Sequence, residues 1–455
     1  MPPPTGNRDR NVVPAPLRAV RDVGEVTVAQ GRLLIEKPEG AWVSAGVLFL
    51  LLFCFVIMSH KLPLGEVAIV GAGMAVLVQN RRLTVPVHFR WYLLYVLLGS
   101  IGWLASSVPL SSPIDLYEVY KLLLVGLACC WLLNTKKDVR FFTIGYLALF
   151  ALYPARGALY NYLTGATHFG RISWNFIFAN PNDLALTCLF PIGLCGYLFF
   201  TERGWIRVAA TMGVAVLLLV MLLTQSRGAL LGMAVAGAYF LAFTRHRVRF
   251  ISFALLAVVA AGIFAPVAVW DRMRDLSKAD VNNMSAVDSS AGERWEIMKI
   301  GIGVVLQNPF LGVGFGNYRY AHAEYALRNG GFSVGASSGR DAHSMYIRAA
   351  AESGIFGSIC VAAFSFGALF ACRRLRKRLA AQPGSERHVS ALLALEMSMV
   401  AFLVAGLFSS SERTTYMLLQ FLVPYYAAAV VLAQYGLTVS GVPERPLLRR
   451  GITAG

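Results

Sequence analysis

The chain has little charge for its length: only 14% of its 455 residues are Asp, Glu, Lys or Arg, whereas 57% are hydrophobic. A soluble domain carries about 25% charged residues, so this chain lacks the polar surface that a water-exposed fold requires. A mean hydropathy of +0.59 points the same way. The composition therefore excludes an ordinary soluble enzyme, a disordered chain and a collagen-like fibre.

Acidic residues are scarce, because 24 Asp and Glu face 41 Lys and Arg and leave a net charge of +17. Nucleic acid, an anionic membrane face and an anionic substrate are the partners that such a charge suggests. Cysteines are also few: the seven are an odd number, lie in or beside apolar runs and lack metal-ligand spacing. They are expected to be small core residues, and no disulfide framework is implied.

Apolar segments of membrane-spanning length follow residue 40, since a spanning helix needs about 20 mostly apolar residues. The candidate segments are 41–59, 63–79, 91–109, 117–133, 141–159, 180–200, 207–225, 228–243, 250–270, 344–371, 391–409 and 415–437. The sequence therefore predicts an all-α polytopic membrane protein with about 12 transmembrane helices. Its expected parts are an arm (1–40), helices 1–9 (41–270), a long loop (271–343), helices 10–12 (344–437) and a tail (438–455).

Basic residues in the short connections predict the orientation, because Lys and Arg concentrate in cytoplasmic loops. Such clusters, for example Arg81-Arg82, Lys136-Lys137 and Arg373-Arg374, follow even-numbered helices. Both termini are then cytoplasmic and the loop between helices 9 and 10 is periplasmic. The excess of +17 resides entirely in the predicted cytoplasmic segments, so it reports topology and no nucleic-acid partner is expected.

The loop 271–343 differs from the other connections in its length, and long loops in compact domains are usually functional. Residues 293–307 have apolar side chains at helical spacing, and the face with Trp295, Met298, Ile302 and Leu306 is expected to lie on the bundle. Residues 317–328 predict a second short helix. The Gly- and Ser-rich stretch 329–342 favours flexibility.

Polar residues that are costly near a membrane collect on the predicted outer side: Arg156, Arg171, Arg227 and His343. Arginine at a helix end often reaches to lipid headgroups, and a lone histidine is usually a satisfied polar residue. The alternative is chemical, because arginine binds phosphate oxygens in a planar fork and neutral histidine accepts a hydroxyl proton. Together they suit recognition of a phosphate or pyrophosphate with proton removal from a hydroxyl.

Three further patterns have structural interpretations. Gly312-Val-Gly314-Phe-Gly316 resembles a nucleotide loop, but no strand precedes it, so a tight turn is expected. Glu352 follows Arg348 by four residues, which predicts an ion pair within one helix.

Asn180-Pro181 is typical of a helix start, and Asp183 is expected to cap it. The polar groups of Asn180, Asn182 and Asp183 would also be available to a ligand.

Four stretches together resemble the O-antigen ligase and O-antigen polymerase superfamily of bacterial envelope glycan enzymes. They are Phe-Ala-Asn-Pro-Asn-Asp-Leu-Ala (178–185), Thr-Gln-Ser-Arg-Gly-Ala-Leu-Leu-Gly (224–232), Asn-Pro-Phe-Leu-Gly-Val-Gly-Phe-Gly-Asn-Tyr (308–318) and Ala-His-Ser-Met-Tyr-Ile-Arg-Ala-Ala-Ala-Glu-Ser-Gly-Ile-Phe-Gly (342–357). Each is weak alone, but their order around a large external loop is fairly specific. Members usually show a Leu-like residue where this chain has Arg348.

The resemblance implies a metal-independent glycosyltransferase without a cofactor, located in the bacterial inner membrane with its site facing the periplasm. Its donor would be a glycan on undecaprenyl pyrophosphate. His343 and Arg227 match the family's catalytic histidine and arginine. Arg156 and Arg294 are expected substrate-binding partners by position, and Arg171, Asn180, Asn182 and Asp183 are added from the residue analysis.

The acceptor is open at this point. A ligase transfers the glycan to lipid A–core, which we prefer by a modest margin, whereas a polymerase uses a second lipid-linked repeat, and a third branch glycosylates proteins. A secondary transporter is a rival of another class, although no internal repeat supports it. A third class is a binding platform built on the long loop, for which Arg227 and His343 would be dispensable.

Overall fold

A computed structural model describes residues 26–29, 32–35, 45–60, 62–78, 85–106, 113–264, 267, 269–270 and 289–439. Most of the expected arm 1–40, residues 271–288 of the long loop and most of the tail 438–455 lie outside these described residues. Within the arm, β1 (Val26–Ala29) pairs antiparallel with β2 (Arg32–Ile35). This short hairpin is a difference from the all-α prediction, and three of the four residues of β1 (Val26, Thr27 and Val28) are β-branched, which favours a strand.

Helices form the rest of the regular structure that the described residues contain. They are α1 (Ala45–Ser59), α2 (Gly65–Val78), α3 (Val87–Ala105), α4 (Pro113–Leu132), α5 (Lys136–Phe150), α6 (Arg156–Leu163), α7 (Pro181–Thr201), α8 (Gly204–Leu223), α9 (Arg227–Phe243), α10 (Arg247–Phe264), α11 (Ser289–Gln307), α12 (Tyr318–Asn329), α13 (Val334–Ser337), α14 (Met345–Leu379), α15 (Glu386–Ala405) and α16 (Thr415–Ala433). Each of the twelve predicted segments overlaps a helix.

Among the described residues, six helical stretches are long and apolar enough to cross a membrane. They are Lys136–Leu163, Pro181–Thr201, Gly204–Leu223, Met345–Leu379, Glu386–Ala405 and Thr415–Ala433. Three more, Ala45–Ser59, Gly65–Leu77 and Arg227–Phe243, are apolar but shorter. The helical membrane character is thereby confirmed, while the number of crossings and their orientation stay predictions.

The first long stretch contains a π-helical turn, Ala151–Ala155, between α5 and α6. Pro154 lies in this turn, and proline cannot donate the hydrogen bond that a regular helix needs at its position. The predicted single helix 141–159 is therefore a composite. The bend places Arg156 at the beginning of α6.

The centre of the bundle is α16, in which the residues from Tyr416 to Ala433 are buried. Helices α7 and α15 pack around it and are buried over most of their length. In contrast, α8 and α10 expose large apolar side chains such as Met212, Leu255 and Leu256. All seven cysteines are free and buried, which confirms their expected role as small core residues.

The long loop contains α11, α12 and α13, so the two helices predicted there are confirmed. The predicted face of α11 is wrong, however, because Trp295, Ile302 and Leu306 are exposed. Ile297 and Ile300 are buried in their place.

Glycines decide which face of α11 is buried. A Cβ at Gly303 would overlap the ring of Tyr325 on α12, and one at Gly301 would lie 2.8 Å from the hydroxyl of Tyr318. The small residues thus let α12 approach on their side. The Gly/Ser-rich segment after α12 is also held against α11, since Arg340 Nη2 donates to Glu293 Oε1 (2.6 Å) and Ser333 Oγ to Glu296 Oε2 (2.6 Å).

Helix α14 is kinked at Ser353 and Gly354, where φ is −131° and +74°. The kink frees two carbonyl groups, which accept hydrogen bonds from Val313 N (to Ala351 O, 2.8 Å) and Gly314 N (to Glu352 O, 2.9 Å). The turn that donates them has positive φ at Gly312, Gly314 and Gly316, so its identification as a tight turn is confirmed. The turn thereby packs between the kink of α14 and the end of α3.

Candidate functional site

A polar cavity of about 530 Å³ opens where α7, α14 and α16 begin, an end of the bundle that we call the rim. Its ionisable lining residues are Asp183, Arg319, Arg340, Asp341 and His343. Uncharged groups that can hydrogen-bond a sugar complete it: Asn180, Asn182, Ser338, Ser409, Ser410, Thr414 and Tyr416. The cavity has the size and polarity of a small-molecule or sugar-binding site.

His343 is half-buried and directly precedes Ser344, the N-cap residue of α14. Its φ of +49° lies in the left-handed region, which is uncommon for a residue with a side chain. The adjoining backbone is fixed, since Met345 N donates to Gly406 O at 3.0 Å. Strained positions of this kind cost about 1–3 kcal/mol and occur preferentially at functional sites.

The charge state of His343 is set by its surroundings. Burial lowers the pKa of the imidazole, the guanidinium of Arg294 lowers it further, and the carboxylate of Asp341 opposes the change, with a net decrease from its ordinary value. Asp341 itself is ionised: burial raises its pKa, but the charges of Arg348 and Arg319 and a hydrogen bond from Ser410 outweigh that effect, so the pKa is lowered. Near neutral pH the cavity therefore presents a neutral imidazole beside a carboxylate.

The N-terminus of α7 forms one wall. Asn180 is the N-cap and accepts from Asn182 N at 2.9 Å, so the predicted helix start is confirmed, although Asn180 rather than Asp183 makes the capping bond. Asp183 Oδ1 accepts from Ser409 Oγ at 3.0 Å, which ties α7 to the segment between α15 and α16.

Arg171 is almost completely buried and connects two elements of the rim. Its Nε donates to Thr224 O (2.7 Å) at the end of α8, and its Nη2 to Asn182 Oδ1 (2.7 Å). These bonds hold the hairpin of α8 and α9 against the start of α7. In this structure Arg171 thus positions other rim residues and does not line the cavity.

Arg227 is half-buried and is the first residue of α9. Gln225, two residues earlier, has a φ of +53°, a second strained position on the rim. A cation at a helix N-terminus faces the positive end of the helix dipole, an arrangement that an anion would stabilise.

Arg294 from α11 joins this hairpin to the cavity. It lines a narrow crevice with Ser226 and Gly228, the two neighbours of Arg227, and with Asn182, which also lines the main cavity. Its charge also acts on His343. The structure therefore brings the predicted residues Asn180, Asn182, Asp183 and His343 together at the cavity, with Arg294 in the adjoining crevice. Arg227 lines neither space, although both of its neighbours line the crevice, and Arg156 is exposed at the start of α6 and does not line the cavity.

A buried cluster of four charges lies directly behind the cavity. Arg348 Nε is 3.6 Å from Glu352 and 3.3 Å from Glu412, and Arg413 lies 3.2 Å from Glu352 and 3.8 Å from Glu412. Each arginine of the cluster thus contacts both glutamates, and the predicted pair of Arg348 and Glu352 is confirmed. Arg348 also lies 3.6 Å from Asp341, so the cluster reaches the cavity wall.

Glu412 and Arg413 were not identified from the sequence. They occur in the run Ser409-Ser-Ser-Glu-Arg-Thr414, which reads as an exposed polar linker between two apolar helices. Burial raises the pKa of Glu412 to about 7 against the opposing charges of Arg348 and Arg413. The sequence did contain a signal for these two residues: an acidic and a basic residue are adjacent in a linker of a chain that has few charges.

The comparisons with known proteins agree with this location. Residues 212–362, about a third of the chain, match a family model described as O-antigen ligase. The matched segment includes Arg227, Arg294 and His343 as well as the kink of α14. No curated protein matches the chain. The match confirms the similarity of the chain to the O-antigen ligase and polymerase superfamily.

Proposed function

We propose that the chain is an inner-membrane glycosyltransferase that moves a glycan from undecaprenyl pyrophosphate to an acceptor hydroxyl on the periplasmic side. The observation that carries the proposal is that His343 lines the rim cavity while Arg294, whose charge acts on it, lines the adjoining crevice beside the start of α9. The O-antigen ligase match to the same segment supports it.

In this mechanism the acceptor hydroxyl attacks the anomeric carbon of the donor sugar, and the bond from that carbon to the pyrophosphate oxygen breaks. The imidazole of His343, kept neutral by burial and by Arg294, accepts the hydroxyl proton. Arg227 and Arg294 stabilise the negative charge that develops on the leaving pyrophosphate. Asn180, Asn182 and the hydroxyl groups of the cavity orient the sugars.

Replacing the proposed anion ligand tests this mechanism. Arg227→Gln is expected to lower turnover about 10²–10³-fold, because one developing-charge contact is lost. Arg328→Gln is the control, since Arg328 is exposed on α12 and pairs with Glu324 away from the cavity. Equal rates for both variants, measured as consumption of lipid-linked glycan, would refute the role of Arg227.

We prefer lipid A–core as acceptor, which makes the protein a ligase; the polymerase, using a second lipid-linked repeat, is the alternative. The surface glycan of a deletion strain separates them. Unmodified lipid A–core with accumulated lipid-linked polymer is the expected ligase phenotype. A single repeat on the core would instead identify a polymerase, and an unchanged glycan profile would contradict both.

A further inference from the structure

The turn between α9 and α10, at the opposite end of the bundle from the rim, lines a second, open cavity of about 510 Å³. It is lined by Thr244, Arg245, His246, Arg247, Val248 and Arg249. Buried Thr244 shapes the turn, because its Oγ1 accepts from His246 N at 3.1 Å. Among the residues that the structure describes, three arginines and no acidic residue therefore line this open space.

Other arginines at this end of the bundle are neutralised by the protein. Arg140 pairs with Glu202 at 2.6 Å and Arg376 with Glu396 at 2.7 Å. By contrast, the described residues provide no ion pair or hydrogen bond to Arg245 or Arg249. A basic cluster whose only role is to set membrane orientation does not need a concave site. Arg245 and Arg249 line such a site and have no ion-pair partner among the described residues, so we expect an anion to bind there.

A neighbouring helix adds to the positive charge. The guanidinium of Arg373 on α14 lies 4.7 Å from the ring centre of Phe243, the residue before Thr244. Arg247 instead reaches back to the end of α9, where its Nη2 donates to Ala242 O at 3.3 Å. Arg245 and Arg249 are therefore the side chains available to a ligand.

The position of the cavity indicates what kind of anion it binds. Helix α10 begins at this turn and exposes Val248 (77%), Ile251 (52%) and Leu255 (62%) along its length. Such a face is stable against acyl chains, which places the turn at the depth of the lipid headgroups. Guanidinium groups bind phosphate oxygens in a bidentate manner, and basic pockets beside membrane helices suit anionic headgroups.

We propose that the turn between α9 and α10 binds the phosphate of an anionic phospholipid, whose acyl chains lie on the exposed face of α10. This site is independent of the proposed glycan transfer. Arg245 and Arg249 form the phosphate contacts, and Thr244 fixes the shape of the turn.

Titration of the purified full-length protein with phosphatidylglycerol and, separately, phosphatidylcholine tests the proposal, with bound lipid counted by native mass spectrometry. Wild type is expected to bind phosphatidylglycerol saturably and in preference to phosphatidylcholine. Arg245→Gln/Arg249→Gln should raise the apparent Kd at least about tenfold, since each interfacial basic residue contributes about 1 kcal/mol. If this double variant is not obtained folded, Arg249→Gln alone should weaken binding about fivefold.

The matched control is Arg203→Gln/Arg207→Gln, which removes two exposed arginines, the N-cap residue of α8 and one in its first turn, at the same end of the bundle. It is expected to bind like wild type. Equal weakening in both double variants, or none in Arg245→Gln/Arg249→Gln, would overturn the site. Displacement of the lipid by an equal concentration of inorganic phosphate would overturn the assignment to a lipid.

Discussion

At the scale of single residues, the rim concentrates features that cost stability. His343 and Gln225 have positive φ, and Arg227 begins a helix as a cation. Positive φ at a residue with a side chain costs about 1–3 kcal/mol, and a cation opposes the positive end of the helix dipole. Under the proposed function they share one explanation, the binding of a pyrophosphate and the removal of a proton.

The pH dependence of transfer should report on His343. Because the base must be neutral, activity is lost as pH falls through its pKa, which lies below the ordinary value of histidine. Arg294→Gln removes a positive charge that lowers this pKa, so the acidic limb of the kcat profile should move to higher pH. Arg294→Lys keeps the charge and should leave the limb in place. An unmoved limb in Arg294→Gln would show that another group titrates.

At the scale of elements, the kink of α14 lies between the first turns of this helix, which border the cavity, and its longer part within the bundle. Gly354 has φ +74° and ψ +175°, and a Cβ there would overlap the carbonyl oxygen of Phe310. Gly330, after α12, has nearly the same conformation, φ +63° and ψ −173°, but nothing lies within 4 Å of its Cβ position. Substitution of Gly330 therefore introduces backbone strain alone, whereas substitution of Gly354 introduces the same strain and a steric clash.

Alanine at these two positions should destabilise the protein to different degrees. Both substitutions introduce strain of about 1–3 kcal/mol, and Gly354→Ala must in addition displace backbone, for about a further 1–3 kcal/mol. The thermal-unfolding midpoint in detergent should therefore fall more for Gly354→Ala than for Gly330→Ala. Equal midpoints would mean that the backbone of Pro309 and Phe310 is not packed against the kink of α14 as described.

The apolar periodicity of the sequence predicted where the helices lie, but it did not predict which face of α11 is buried. Helix α11 carries two apolar stripes at helical spacing, and hydrophobicity alone could not select Ile297 and Ile300 over Trp295 and Ile302. The choice depends on Gly301 and Gly303, whose effect requires knowing that α12 packs there. Likewise, the burial of Glu412 and Arg413 is a tertiary property that a polar linker does not reveal.

At the scale of the whole molecule, the helices alternate in direction so that the starts of α4, α7, α9, α14 and α16 share the rim. Contacts between distant segments demonstrate this, since Arg413 lies 3.8 Å from Asp115 and Asp183 bonds Ser409. Charge bias predicts that this end faces the periplasm, and the family resemblance predicts the same. The orientation itself is a prediction with a direct test.

Cysteine labelling can determine the orientation, because all seven native cysteines are buried and give little background. Val334→Cys, at an 88% exposed position of α13, should react with a membrane-impermeant maleimide in intact cells. Arg203→Cys, in the turn between α7 and α8, should react only after the inner membrane is opened. The reverse pattern would place the cavity in the cytoplasm and exclude a periplasmic transferase.

The most direct test of the account is transfer by the full-length protein in vesicles that contain the lipid-linked glycan donor and lipid A–core. His343→Ala should lower the rate at least about a hundredfold, because the proton acceptor is lost. His168→Ala, which removes an exposed imidazole outside the cavity, should transfer at the wild-type rate. Transfer by His343→Ala at the wild-type rate would contradict the assignment of His343 as the base.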